Sequence, residues 1–210
     1  MARELSLPSP PLVAILRGVT PRRAVEVGRA LYDAGIRTIE VPLNSPDPFE
    51  SIALLSRHFG DQCICGAGTV LAADDVARIG ASGGRLVVAP NVNQAVIAQA
   101  RSLDMIVMPG FATATEAFDA IGAGATHLKL FPATTYGPGH LKALKAVLPP
   151  SVPVFAVGGV GVDDIAVWVR AGADGFGFGS ELFKPEYTID EIGMRARGLV
   201  GSLKRATVHP

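Results

Sequence analysis

The chain has 210 residues, 49% of them hydrophobic, with 19 basic side chains balanced by 19 acidic ones. That length suits one globular domain with a sizeable core, and the even charge argues against nucleic acid or an anionic membrane as the main partner. No apolar run reaches membrane-spanning length, "MARELSLPSPP" lacks a secretory core, and Cys63 and Cys65 suit neither a disulfide framework nor a zinc site, so a cytoplasmic protein is expected.

Residues 1–10 read as an irregular, poorly ordered lead-in and 11–210 as a single domain. Eight short apolar runs then follow in order: "LVAIL" (12–16), "TIEVPL" (38–43), "CICGAG" (63–68), "LVVAP" (86–90), "MIVMPG" (105–110), "HLKLFP" (127–132), "VPVFAVG" (152–158) and "GFGFGS" (175–180). Each is bounded by Gly or Pro, and several are β-branched, which predicts buried strands. Helical segments lie between them. The first, "TPRRAVEVGRALYDAG", opens with Thr20 as N-cap and Pro21 at the first helical position. Glycines that would end helices recur just before strands, as in "DAGIRTIEV" and "RAGADGFGF". Eight strands alternating with helices predict a closed (β/α)8 TIM barrel. An open doubly wound sheet is the rival, but no strand is followed by a dinucleotide glycine fingerprint.

In such a barrel, chemistry gathers at the C-terminal strand ends. Arg17 ends the first strand and could meet a carboxylate or phosphate, or simply cover a strand edge. Glu40 is the one carboxylate inside an apolar strand, either an ion-pair partner for Lys129 or Arg17 or a proton shuttle. Thr69 could donate to the same anion as Arg17, or could cap the helix of "LAADDVARI". Lys129 is the only one of five lysines flanked by strand interior. Period-2 alternation turns Lys129 and Phe131 inward and Leu128 and Leu130 outward. Desolvation would then lower the lysine pKa and free a nucleophilic amine, unless a buried salt bridge holds the charge. His127 shares that parity one layer deeper and reads as a core histidine. Gly158 and Gly159 end the seventh run, and Gly179 and Ser180 the eighth. Loops at these two places often bind phosphate through backbone N–H groups, although tight turns alone would also explain the glycines. No group of His, Cys, Asp or Glu has metal-ligand spacing, so no metal is expected.

The stretches "AILRG", "IEVPLNSP", "GAGTVL", "PGFATATEAF", "LKLFPA", "GPGHLKALKAVLP" and "FAVGGV" together resemble the barrel aldolases that cleave 2-keto-3-deoxy-6-phospho-sugar acids through a Schiff base. The likeness spans about residues 11 to 200. It implies that Lys129 forms the imine and that Glu40 is the general acid/base. It also implies that Arg17 and Thr69 meet the substrate carboxylate, that Pro90, Pro109 and Phe131 shape the pocket, and that Gly158, Gly159, Gly179 and Ser180 hold the phosphate. No organic cofactor is implied; a homotrimer is. Asn44 stands where the gluconate-type enzymes resemble "EVTLRT", with an arginine, and Val157 where they carry a threonine. Both features are similar to the galactonate-type branch, whose substrate differs at C4. The rivals are a gluconate-type or dual-epimer aldolase, another phosphate-binding barrel such as an epimerase or synthase, and a non-catalytic sugar-phosphate binder.

Overall fold

The computed structural model describes residues 6–208; the expectation for residues 1–5 of the lead-in lies outside them. Strand and helix alternate along the chain: β1 (Leu12–Ile15), α1 (Pro21–Asp33), β2 (Thr38–Pro42), α2 (Pro48–Phe59), β3 (Ile64–Gly68), α3 (Ala73–Ala81), β4 (Leu86–Val88) and α4 (Gln94–Ser102). They continue as β5 (Ile106–Met108), β6 (Gly110–Phe111), α5 (Ala114–Gly122), β7 (Leu128–Leu130), α6 (Ala133–Lys145), β8 (Val154–Val157), α7 (Ile165–Arg170), β9 (Gly175–Phe178) and α8 (Ile189–Val208).

The strands pair in parallel in the order β5-β4-β3-β2-β1-β9-β8-β7-β6. Its two ends, β5 and β6, are separated in the chain only by Pro109. The two edges are thus one interrupted strand, and the sheet closes into a (β/α)8 barrel. The expected eight runs become nine strands because proline lacks an amide hydrogen and breaks the ladder within "MIVMPG".

Alternation along each strand builds two apolar layers. Leu12, Ala14, Ile39, Val41, Cys65, Ala67, Leu128 and Leu130 face the helices. Val13, Ile15, Leu86, Val88, Ile106, Met108, Phe155 and Val157 fill the barrel, and Leu7 packs on them from the lead-in. Each helix supplies the complementary stripe. In α1, Ala24, Val27, Gly28 and Leu31 are buried at helical spacing. Pro21 opens that helix as expected, while Thr20 sits at the N-cap without a side-chain bond. The glycines ending helices before strands, among them Gly35 and Gly172, have φ of +103° and +97°, the left-handed conformation that terminates a helix. Cys63 and Cys65 are buried free thiols in the helix-facing layer, and desolvation pushes them up to about 11 and about 12.

Candidate active site

The C-terminal strand ends enclose a cavity of about 150 Å³. Lys129 and Glu40 form its floor, with Arg17, Thr69, Pro90 and Phe131 around them and the residues after β8 and β9 at its rim. The parity argument explains the floor: Ile39 and Val41 face the helices, so Glu40 between them points inward. Leu128 and Leu130 do the same for Lys129. Both charged side chains are deeply buried, with Glu40 at 2% exposure and Lys129 at 7%.

Neither is held in an ion pair. Among the described residues the ion pairs are Arg78–Asp75, Arg85–Asp61 and Lys145–Asp174. The Lys129 ammonium nitrogen Nζ lies 4.6 Å from the Phe131 ring centroid, and Glu40 Oε2 is buried with no hydrogen-bond partner. Burial therefore dominates both titrations. Desolvation pushes Glu40 up to about 7 against the opposing pull of the Lys129 and Arg17 charges. Desolvation also lowers Lys129, Glu40 partly restores it, and Arg17 lowers it further. An amine that gives up its proton easily thus shares a dry cavity with a carboxyl that titrates near neutrality. That pairing suits nucleophilic attack on a carbonyl followed by proton transfer.

Gly68 makes room for the carboxylate. A Cβ at Gly68 would lie 1.8 Å from Glu40 Oε2. The next residue, Thr69, has φ +55°. For a β-branched residue this is a true outlier, a strain of about 1–3 kcal/mol held by its surroundings. Its Oγ1 accepts from Arg17 Nη2 at 3.4 Å, and Asn44 Oδ1 accepts from Arg17 Nη1 at 2.5 Å. Ser45 Oγ accepts from the N–H of Gly18 at 3.0 Å. Helix α3 is capped at Ala72, so Thr69 is not its N-cap.

The rim is backbone. Gly158 and Gly159 have φ of +100° and +81°. Among the described residues, the N–H groups of Gly159, Val160, Ser180 and Glu181 donate to no protein acceptor. Backbone amides without protein acceptors beside a cavity are the kind of group that can receive an anion.

Pro109 and Asn44 each bond to a residue that lines the cavity. Pro109 interrupts the ladder between β5 and β6, where its carbonyl accepts the Lys129 amide at 3.0 Å. Asn44 is the acceptor that holds the Arg17 guanidinium. Val157 lines the cavity, and so do Ile15, Val160, Gly177, Phe178 and Glu181, which the sequence reading passed over. Alternation alone finds Ile15 and Gly177; Phe178 ends β9 with the opposite parity, and Val160 and Glu181 lie in the loops after β8 and β9. His127 lies deeper in the barrel, edge-on to Phe155, and burial takes it down to about 4. A larger hollow of about 460 Å³ involves Arg57, Asp61 and Arg85 near the ends of α2 and α3. Its Arg85 is spent on Asp61 and the carbonyls of Gly60 and Cys63, and it gathers no strand-end chemistry.

The family model for KDPG and KHG aldolase matches residues 4–192. The chain is 44% identical over 196 residues to the 2-dehydro-3-deoxy-6-phosphogalactonate aldolase of Escherichia coli K12, covering 93% of this chain and 96% of that one. It is 46% identical over 186 residues to the probable 2-dehydro-3-deoxy-6-phosphogalactonate aldolase of Rhizobium meliloti 1021, covering 89% and 88% respectively. A solved structure described as "Native KDPGal structure" superposes with a TM-score of 0.95 at 43% identity, over 97% of this chain and 99% of that one.

Proposed function

The chain belongs to the KDPG and KHG aldolase family, and from that premise we propose that it cleaves 2-dehydro-3-deoxy-6-phosphogalactonate into pyruvate and D-glyceraldehyde 3-phosphate. The observation that carries this reading is the unpaired, buried amine of Lys129 sharing one cavity with the unpaired, buried carboxyl of Glu40.

In the proposed reaction, the neutral Lys129 amine adds to the C2 ketone, and loss of water leaves a protonated imine. Glu40 takes the proton of the C4 hydroxyl as the C3–C4 bond breaks. The bond electrons move into the imine, which becomes an enamine, and glyceraldehyde 3-phosphate leaves. Protonation at C3 and hydrolysis release pyruvate and regenerate the amine. Arg17 and Thr69 hold the substrate carboxylate. Pro90 and Phe131 wall the reacting carbons. The amides around Gly158, Gly159, Gly179 and Ser180 hold the phosphate, whose remote binding energy orients the reacting bond. Val157 offers an apolar surface beside this path, which supports the galactonate epimer over the gluconate one.

A homotrimeric assembly is a further reading carried by the family resemblance, and a cytoplasmic location is one supported by the two free, buried cysteines, which suit a reducing compartment. Among the described residues, no helix is long and apolar enough to cross a membrane. Borohydride reduction in the presence of pyruvate tests the chemistry. A pyruvyl adduct mapping to Lys129 is expected, and Lys129→Arg should abolish both adduct and cleavage. An unmodified lysine, or cleavage surviving in Lys129→Arg, would sink the proposal. Comparing kcat/KM on the two C4 epimers tests the substrate, and sedimentation equilibrium tests the trimer.

A further inference from the structure

Helix α6 begins just after Lys129 and Phe131, and its first turn touches the loop after β8. Thr134 donates twice to one acceptor there: its backbone N–H reaches Gly158 O at 3.2 Å, and its hydroxyl reaches the same oxygen at 3.1 Å. The contact is close. A Cβ at Gly159 would lie 2.3 Å from Thr134 Oγ1, and one at Gly158 would lie 3.2 Å from the Phe131 ring.

The carbonyl of Gly158 and the N–H of Gly159 belong to one planar, trans peptide unit, so they point in opposite directions. Anchoring the oxygen end therefore aims the hydrogen end. Gly158 and Gly159 both have positive φ and no side chain to resist rotation. Nothing else among the described residues engages the Gly159 or Val160 amide. We infer that Thr134 is a positioning residue for phosphate recognition: its hydroxyl fixes the Gly158–Gly159 peptide so that the following amides face the substrate phosphate. The inference rests on the reading of this rim as the phosphate site, and goes beyond it by naming what orients the amides. It also links the strand bearing the lysine to the loop that grips the far end of the substrate.

The test uses the reverse, carbon–carbon bond-forming reaction of the full chain. Pyruvate is condensed with glyceraldehyde 3-phosphate or with unphosphorylated glyceraldehyde, and the ratio of the two kcat/KM values is read. Loss of one hydrogen bond of the pair should lower this ratio by about threefold to tenfold in Thr134→Val, and Thr134→Ser should restore it. Thr134→Ala gives the same reading should the valine variant fail to fold. A merely structural hydroxyl would depress both aldehydes alike. A wild-type ratio in the valine or alanine variant, or an equal fall in Thr134→Ser, overturns the inference alone. A wild-type enzyme that traps pyruvate yet ignores the phosphate overturns the assignment of the rim as well. One that traps no pyruvate overturns the aldolase reading itself.

Discussion

Replacing Gly68 with alanine crowds the Glu40 carboxylate without removing any reacting group. A Cβ there would lie 1.8, 2.2 and 2.3 Å from Oε2, Cδ and Oε1 of Glu40. Ordinary contact begins near 3.4 Å, so Oε2 must retreat by about 1.6 Å. The backbone itself accepts alanine, because Gly68 is not among the positive-φ residues. The cost in stability is that of modest overpacking, about 1–3 kcal/mol. For a chain of this size that is a melting temperature lower by roughly 2–12 °C. Catalysis should suffer more, since a 1 Å misplacement of a reacting group can cost about a hundredfold. Pyruvate release, followed through lactate dehydrogenase and NADH, should show kcat lowered by about 10²-fold or more. Glu40→Asp, one methylene shorter, should recover part of that loss when combined with Gly68→Ala, giving a coupling between the two sites in a double-mutant cycle. A Gly68→Ala enzyme with wild-type kcat, or strictly additive effects of the two substitutions, would refute the claim that this glycine exists to seat the carboxylate.

Two further outcomes follow from the same geometry. His127 titrates at about 4 rather than its ordinary 6.5 because burial disfavours its charged form; its contribution to stability is therefore present above pH 6.5 and is lost as pH falls through 4. Urea unfolding of His127→Asn should lose less stability than wild type across that window, by roughly 3 kcal/mol, and parallel acid limbs would contradict the assignment. Val157→Thr places a hydroxyl in the cavity wall, so the kcat/KM ratio of the two C4 epimers should shift toward the gluconate form by about tenfold; an unchanged ratio would move epimer choice to another residue.

Much of this site was legible in the linear chain because strand alternation is local. Lys129 sits inward since its neighbours are leucines, and Glu40 sits inward since its neighbours are isoleucine and valine. The same parity finds Cys63 and Cys65 on the helix-facing side and His127 inside the barrel. The family motifs added roles to those positions, and Arg17 and Thr69 do lie together. What alternation does not express is the role of Pro109, which interrupts the hydrogen-bond ladder between β5 and β6 while its carbonyl accepts the Lys129 amide.

The sequence by itself determined the alternation of strand and helix, the side of each strand that faces the barrel, and the composition of its polar mouth. Only the tertiary structure decided that Lys129 and Glu40 remain unpaired, that Gly68 vacates the space for the carboxylate, that Asn44 holds Arg17, and that Thr134 reaches back to Gly158. The division is physical. Which way a side chain points depends on its immediate neighbours. Which strand ends meet depends on closure of the whole sheet, a long-range condition that no local stretch encodes.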